Sequence, residues 1–190
     1  ETARKQDIES ILADAATYAD AGDYTNALRT LSGGLNKYPE DAELTAKQTE
    51  YTEALAAKNK QDALDQAAQY AAAGDYKSAL ETVQEAQKLL GSDADFLQKT
   101  AEYTESYKSA ALETAAQYEK TSDYLNAYKT IQTAMDLVGS DSSLNVKLSL
   151  YAQNYASAVA AQADEKIAAK DFAGARTLLT NALKELPGNA

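Results

Sequence analysis

Cysteine, histidine and tryptophan are absent from these 190 residues, and proline occurs only twice. Without Cys or His there is no thiolate or imidazole to ligate a metal, no Ser–His or Cys–His nucleophile pair, and no disulfide. Most enzyme chemistry goes with them, and the chain reads as non-catalytic, with no cofactor and no metal. Val and Ile number four each and never form an alternating run, so strands have little to be built from. No apolar stretch approaches the roughly 18 residues of a membrane span, which argues against direct insertion by this segment. Positive charge is also scarce: 18 Lys plus Arg stand against 29 Asp plus Glu, a net charge of −11. That balance opposes phosphate backbones and anionic lipid surfaces, and nucleic acid is excluded as a partner.

What the chain does have is 40 Ala, 21 Leu and 13 Tyr, a composition that favours helix. It also repeats itself. Ala15-Ala16-Thr17-Tyr18 leads to Gly22-Asp23-Tyr24 and Ala27-Leu28. Ala67-Ala68-Gln69-Tyr70 leads in the same way to Gly74-Asp75-Tyr76 and Ala79-Leu80. A third copy runs from Ala115 through Tyr118 to Ser122-Asp123-Tyr124 and Ala127, and a worn fourth runs from Ala163 through Lys170-Asp171-Phe172 to Ala175. Tyr24, Tyr76, Tyr124 and Phe172 are separated by 52, 48 and 48 residues, so the period is 48 with four extra residues in the first interval. Tyr18 to Tyr51, Tyr70 to Tyr103 and Tyr118 to Tyr151 are each 33 apart, which places the surplus between Tyr51 and Tyr70. Four residues are about one helical turn, so a continuous helix absorbs them there.

Breakers and capping residues place the elements. Gly22-Asp23, Gly74-Asp75, Ser122-Asp123 and Lys170-Asp171 read as tight turns, in which Gly supplies a positive φ and Asp caps the following helix. Pro39-Glu40-Asp41, Gly91-Ser92-Asp93 and Gly139-Ser140-Asp141 break the chain again. The spacing predicts short helices near 24–37, 76–90, 124–138 and 172–186. These alternate with long helices near 41–73, 93–121 and 142–169, after an opening helix near 4–21. The fold class is all-α, with about eight helices.

At these residues the chain resembles the tetratricopeptide repeat (TPR), whose pattern is W-x2-L-G-x2-Y, A-x3-F and P in about 34 residues. Ala15-x2-Tyr18 fills the small-x2-Tyr slot, Ala27-x3-Leu31 the A-x3-F slot, and Pro39 closes the unit. Ala67/Tyr70 with Ala79/Val83, and Ala115/Tyr118 with Ala127/Ile131, do the same again. A small column reads Gly34, Ala86, Ala134 and Ala182. The departures are the missing Trp, Lys166 in place of the fourth Tyr, and a period longer by about 14 residues, or about four turns. The resemblance implies a TPR-like right-handed solenoid of antiparallel hairpins. It would form one domain over 1–190, with repeat turns at 22–24, 74–76, 122–124 and 170–172. Long-helix arrays rich in Ala, Tyr and Asp and lacking Cys also look like ectodomains of predicted membrane-anchored surface proteins of Gram-positive bacteria. That implies an extracellular chain anchored by a segment before Glu1, which lacks an initiating Met. The alternative is a cytoplasmic TPR adaptor.

Candidate sites are weighed against packing. Eleven of the 13 tyrosines fall into the columns Tyr18/Tyr70/Tyr118, Tyr24/Tyr76/Tyr124, Tyr51/Tyr103/Tyr151 and Tyr107/Tyr155, as core or hairpin packing requires. On that reading Tyr76→Ala costs about 3 kcal/mol and Tyr38→Ala much less. Tyr38 and Tyr128 lie outside the columns and are candidates for ligand contact. Peptide-clamping TPR proteins carry Lys, Arg and Asn on the inner face of the first hairpin helix. The matching positions here are Leu12, Leu64 and Leu112, which argues against a carboxylate clamp. This apolar stripe is either covered by the extension of a neighbouring long helix or forms an open groove for an amphipathic helix. Of the acidic clusters Asp7/Glu9, Glu40/Asp41/Glu43, Asp93/Asp95 and Asp164/Glu165, three sit at or near helix starts, where they complement the helix dipole, and the loops 91–95 and 139–143 offer too few ligands for Ca²⁺. Gly34 has a packing reason within the small column, whereas Gly33 has none. The expected function is a non-catalytic scaffold or spacer, monomeric, with a protein or peptide partner. The alternative is a module for a cell-surface glycan or peptide.

Overall fold

The computed structural model describes residues 2–186 and contains, among them, eight helices and no strand. In order these are α1 (Thr2–Asp20), α2 (Tyr24–Lys37), α3 (Ala42–Ala72), α4 (Tyr76–Leu90), α5 (Ala94–Lys120), α6 (Tyr124–Val138), α7 (Ser142–Ala168) and α8 (Phe172–Glu185). Short and long helices alternate as the breakers require. The four surplus residues are found where the tyrosine spacing puts them: α3 has 31 residues, and α5 and α7 have 27 each.

Each tip between a long helix and the next short one follows one scheme. The amide of Gly22 donates to the carbonyl of Ala19, and that of Asp23 donates to the carbonyl of Tyr18, closing α1 with the two bonds of a Schellman motif. The residue that closes the loop must take a left-handed conformation. Gly22 (φ 75°) and Gly74 (φ 78°) do so freely, while Ser122 (φ 58°) and Lys170 (φ 60°) do so against the clash of their Cβ atoms. The following Asp then caps the next helix. Asp23, Asp75, Asp123 and Asp171 accept from the amides of Asn26, Ser78, Asn126 and Gly174. The long helices are capped likewise, with Asp41 accepting from Leu44, Asp93 from Phe96 and Asp141 from Leu144. Seven of the 29 acidic residues are thus held at helix starts.

The chain forms two compact units, Glu1–Lys99 and Thr100–Ala190. In the first, Ile8 and Ala15 of α1, Ala27 and Leu31 of α2, and Leu44 and Tyr51 of α3 bury one another. In the second, Ala111 and Ala115 of α5, Ala127, Ile131 and Ala134 of α6, and Leu144 and Tyr151 of α7 do the same. Gly34 accounts for the close approach in the first unit, since a Cβ there would stand 2.9 Å from Ile11 Cγ2 and 3.2 Å from Leu44 Cδ1. Gly33, one residue earlier, faces open space.

The tyrosine columns divide. Tyr51, Tyr103 and Tyr151 are buried, as packing requires. Tyr24, Tyr76 and Tyr124 are half-buried, and Tyr24 lies 6.0 Å from the Tyr51 ring. Tyr18, Tyr70 and Tyr118, expected in core or hairpin packing, lie outside the buried core, 44%, 37% and 37% exposed. They occupy the position whose carbonyl accepts the loop amide, which fixes their backbone, and more than half of each residue's surface is still covered. Phe172, the fourth turn aromatic, is also exposed.

Candidate functional site

The five residues singled out by sequence do not form one cluster. Leu12 and Tyr38 are half-buried against the first core, and Leu112 and Tyr128 are half-buried against the second. Leu64 is half-buried on α3. The Leu12 and Leu112 faces therefore pack against cores to which the long helices α3 and α7 contribute Leu44, Tyr51, Leu144 and Tyr151. Tyr38 ends α2, where its hydroxyl donates to Asp7 Oδ2 at 2.7 Å and Lys37 Nζ reaches the same oxygen at 2.6 Å. Arg4 and Lys37 both stand over its ring, 5.5 and 5.3 Å from the centroid. The Lys37 ammonium, with help from Tyr38, holds the Asp7 carboxyl below the ordinary range.

Ion pairs tie the starts of the long helices to their neighbours. Asp41 meets Arg4 at 3.4 Å, Asp93 and Asp95 meet Lys60, and Asp141 meets Lys108 at 2.6 Å. The Lys108 contact, with Ser143 and the amide of Leu144, keeps Asp141 far below the usual carboxylate range. In the second unit Glu119 accepts from the Tyr151 hydroxyl at 2.8 Å and from Lys147 at 3.4 Å. Burial first, then the bond to Glu119, raises the Tyr151 hydroxyl above its ordinary value. No group of three or more acidic side chains among the described residues is arranged to hold a metal ion. No helix among them is long and apolar enough to cross a membrane.

Two cavities among the described residues bear on function. One, of about 480 Å³, lies beside the Arg4–Asp41 pair and is lined by Arg4, Lys5, Glu9 and Glu43, whose charges largely compensate one another. The other, of about 120 Å³, is an apolar groove between α7 and α8, formed by Tyr155, Val159, Leu179, Ala182, Leu183 and Leu186. Leu179 is 42% exposed and Leu183 47%, whereas Leu31, Val83 and Ile131, which precede Leu179 in the same column, are completely buried. The 48-residue offset carries Ile131 onto Leu179 and Met135 onto Leu183, so the sequence alone reads these leucines as core. Chemically, such a groove offers apolar contact and no charged group.

Compared with known proteins, the chain matches no family model, no curated protein and no solved structure.

Proposed function

We propose that this chain is a non-catalytic scaffold or spacer, a TPR-like right-handed solenoid that presents surfaces to a protein or peptide partner. The observation that carries the reading is the α7–α8 groove, an apolar concavity whose leucines stand half in water. The charge of −11 favours a basic or neutral partner overall. The setting in this reading is the surface of a Gram-positive cell. A photo-crosslinking residue at position 183, compared with one at exposed position 9, tests the scaffold. Protein adducts that form at 183 and disappear with Leu179→Glu are expected, and equal labelling at both positions would overturn the reading. Protease shaving of intact cells tests the setting, since loss of the chain is expected at the surface and protection would make it a cytoplasmic adaptor. A second reading, a glycan-binding module, draws on the exposed rings of Tyr18, Tyr70 and Tyr118, because Tyr offers a broad apolar face with a hydroxyl.

A further inference from the structure

We infer that Lys60 and Lys108 are graded electrostatic latches through which ionic strength loosens the docked starts of α5 and α7, α5 first. The capping aspartates are of two kinds. Asp23 and Asp123, which cap short helices, spend both carboxylate oxygens on their own helix start. Their Oδ1 accepts from the amide of Asn26 or Asn126, and their Oδ2 accepts from the side-chain Nδ2 of the same residue. Asp41, Asp93 and Asp141, which cap long helices, divide theirs. Oδ1 accepts from the amides of Leu44, Phe96 and Leu144, while Oδ2 meets Arg4, Lys60 and Lys108, each on the helix two places earlier in the chain. One carboxylate therefore both caps a long helix and fastens its start to an earlier helix, so that releasing the cation also loosens the cap.

Lys60 and Lys108 are one period apart, as are Asp93 and Asp141, so the same device occurs twice inside the chain. Its surroundings differ. The Lys60 side chain is 29% exposed, and those of its partners Asp93 and Asp95 are 39% and 61% exposed. The Lys108 side chain is 13% exposed and that of Asp141 24%, with Glu105, on the same helix as Lys108, adding a second contact at 2.9 Å. Mobile ions screen exposed charges beyond about 10 Å at 0.1 M salt and beyond about 3 Å at 1 M, and they screen covered pairs much less. Rising salt thus releases the start of α5 while the start of α7 keeps its tie. Lys60 and Lys108 hold the Asp93 and Asp141 carboxyls below their ordinary range, so both carboxylates stay ionised near neutral pH and salt is the controlling variable.

The test follows amide–water exchange by NMR at Phe96 and Leu144 in the chain 1–190, unaltered and with Lys60→Met or Lys108→Met. The amides of Asn26 and Asn126, capped within their own helix starts, serve as internal references, so that the general effect of salt on a chain of net charge −11 cancels. At low salt Lys60→Met is expected to speed exchange at Phe96 about threefold against the references, and Lys108→Met at Leu144 about tenfold. At about 1 M salt the first ratio is expected to fall to about one and the second to stay above about fivefold. Lys60→Arg and Lys108→Arg, which keep the charge, are expected to retain most of the protection. Exchange indifferent to both methionine substitutions overturns the latches, and loss of both ratios at about 1 M salt overturns the grading. If a methionine variant does not fold, the unaltered chain decides. Phe96 exchange is then expected to rise about threefold with salt against the references and Leu144 exchange by less than about twofold, and an equal response at the two overturns the proposal.

Discussion

The two cores fill largely the same positions, one hundred residues apart, and two of their differences are compensated in pairs. Ala15, Ala27, Leu44 and Tyr51 recur as Ala115, Ala127, Leu144 and Tyr151. Where the first unit combines Ile11 with Gly34, the second combines Ala111 with Ala134. A methyl group missing on the short helix is matched by a larger side chain on the long one, as close packing requires. The polar bonds have moved as well. In the first unit a phenol at the end of α2, Tyr38, meets Asp7, and in the second the core phenol Tyr151 meets Glu119. At position 38 the second core has Val138, and at position 119 the first has Ala19. The lesson is that where the repeat does change a side chain, volume and satisfied donors are kept.

The comparison can be broken most directly at its largest buried group. Tyr151→Ala, in a position with no exposure, is expected to cost about 4 kcal/mol in urea denaturation. Tyr51→Ala should cost somewhat less because its ring is not wholly enclosed, and Tyr118→Ala, exposed, under about 1 kcal/mol. Equal losses at 118 and 151 would mean that burial does not rank these columns. The paired volumes give the next effect. Gly34→Ala alone should destabilise by about 1 kcal/mol, the clash with Ile11 outweighing the helical gain. Measured in an Ile11→Ala background the same change should become stabilising, and a double-mutant cycle reads the difference. Gly33→Ala, with open space around it, should stabilise by up to about 1 kcal/mol in either background.

The tips offer a third comparison of similar size. Ser122→Gly should stabilise the second unit by about 1 kcal/mol, and Gly22→Ser should cost the first about as much, because both positions require φ near 60–75°. Thermal melts of the two variants should move in opposite directions. The smallest expected effect is in titration. Tyr151 has its folded value raised, so its contribution is present below about pH 10 and is lost as pH rises through the folded value. Tyr151→Phe should flatten that alkaline fall. Asp7 and Asp141 have theirs lowered, so their contributions are present above about pH 4 and disappear as pH falls through the folded values. Asp141→Asn, which keeps a capping oxygen, should make the acid limb of the stability curve shallower.

How far the fold could be read from sequence depended on whether a residue's role was local. Gly22, Gly74 and the capping aspartates act through their own backbone and near neighbours, and they marked the helix boundaries closely. The long α3 was legible because helical turns absorb four residues without disturbing the flanking columns. Tyr18, Tyr70 and Tyr118 could not be placed as core or periphery, because recurrence shows that a position matters without showing how deeply its side chain is covered. The half-burial of Tyr38 and Tyr128 was equally hidden, since it depends on helices distant in sequence. The α7–α8 groove needed the structure for a different reason: a column reads the same from Leu31 to Leu179, and only a neighbour's presence or absence tells a core leucine from a surface one.

The packing of helices against their successors has a consequence for how the chain comes to be folded. The substantial helix pairs include α1 with α2, α2 with α3, α3 with α4, α6 with α7 and α7 with α8, and α1 reaches α3 as well. Few distant segments have to find each other, so the entropy of closing long loops is small and folding is expected to be fast. A hairpin can form as soon as its second helix has been synthesised or threaded through a pore, and the next long helix then consolidates it. Such a chain assembles in the order in which it is delivered.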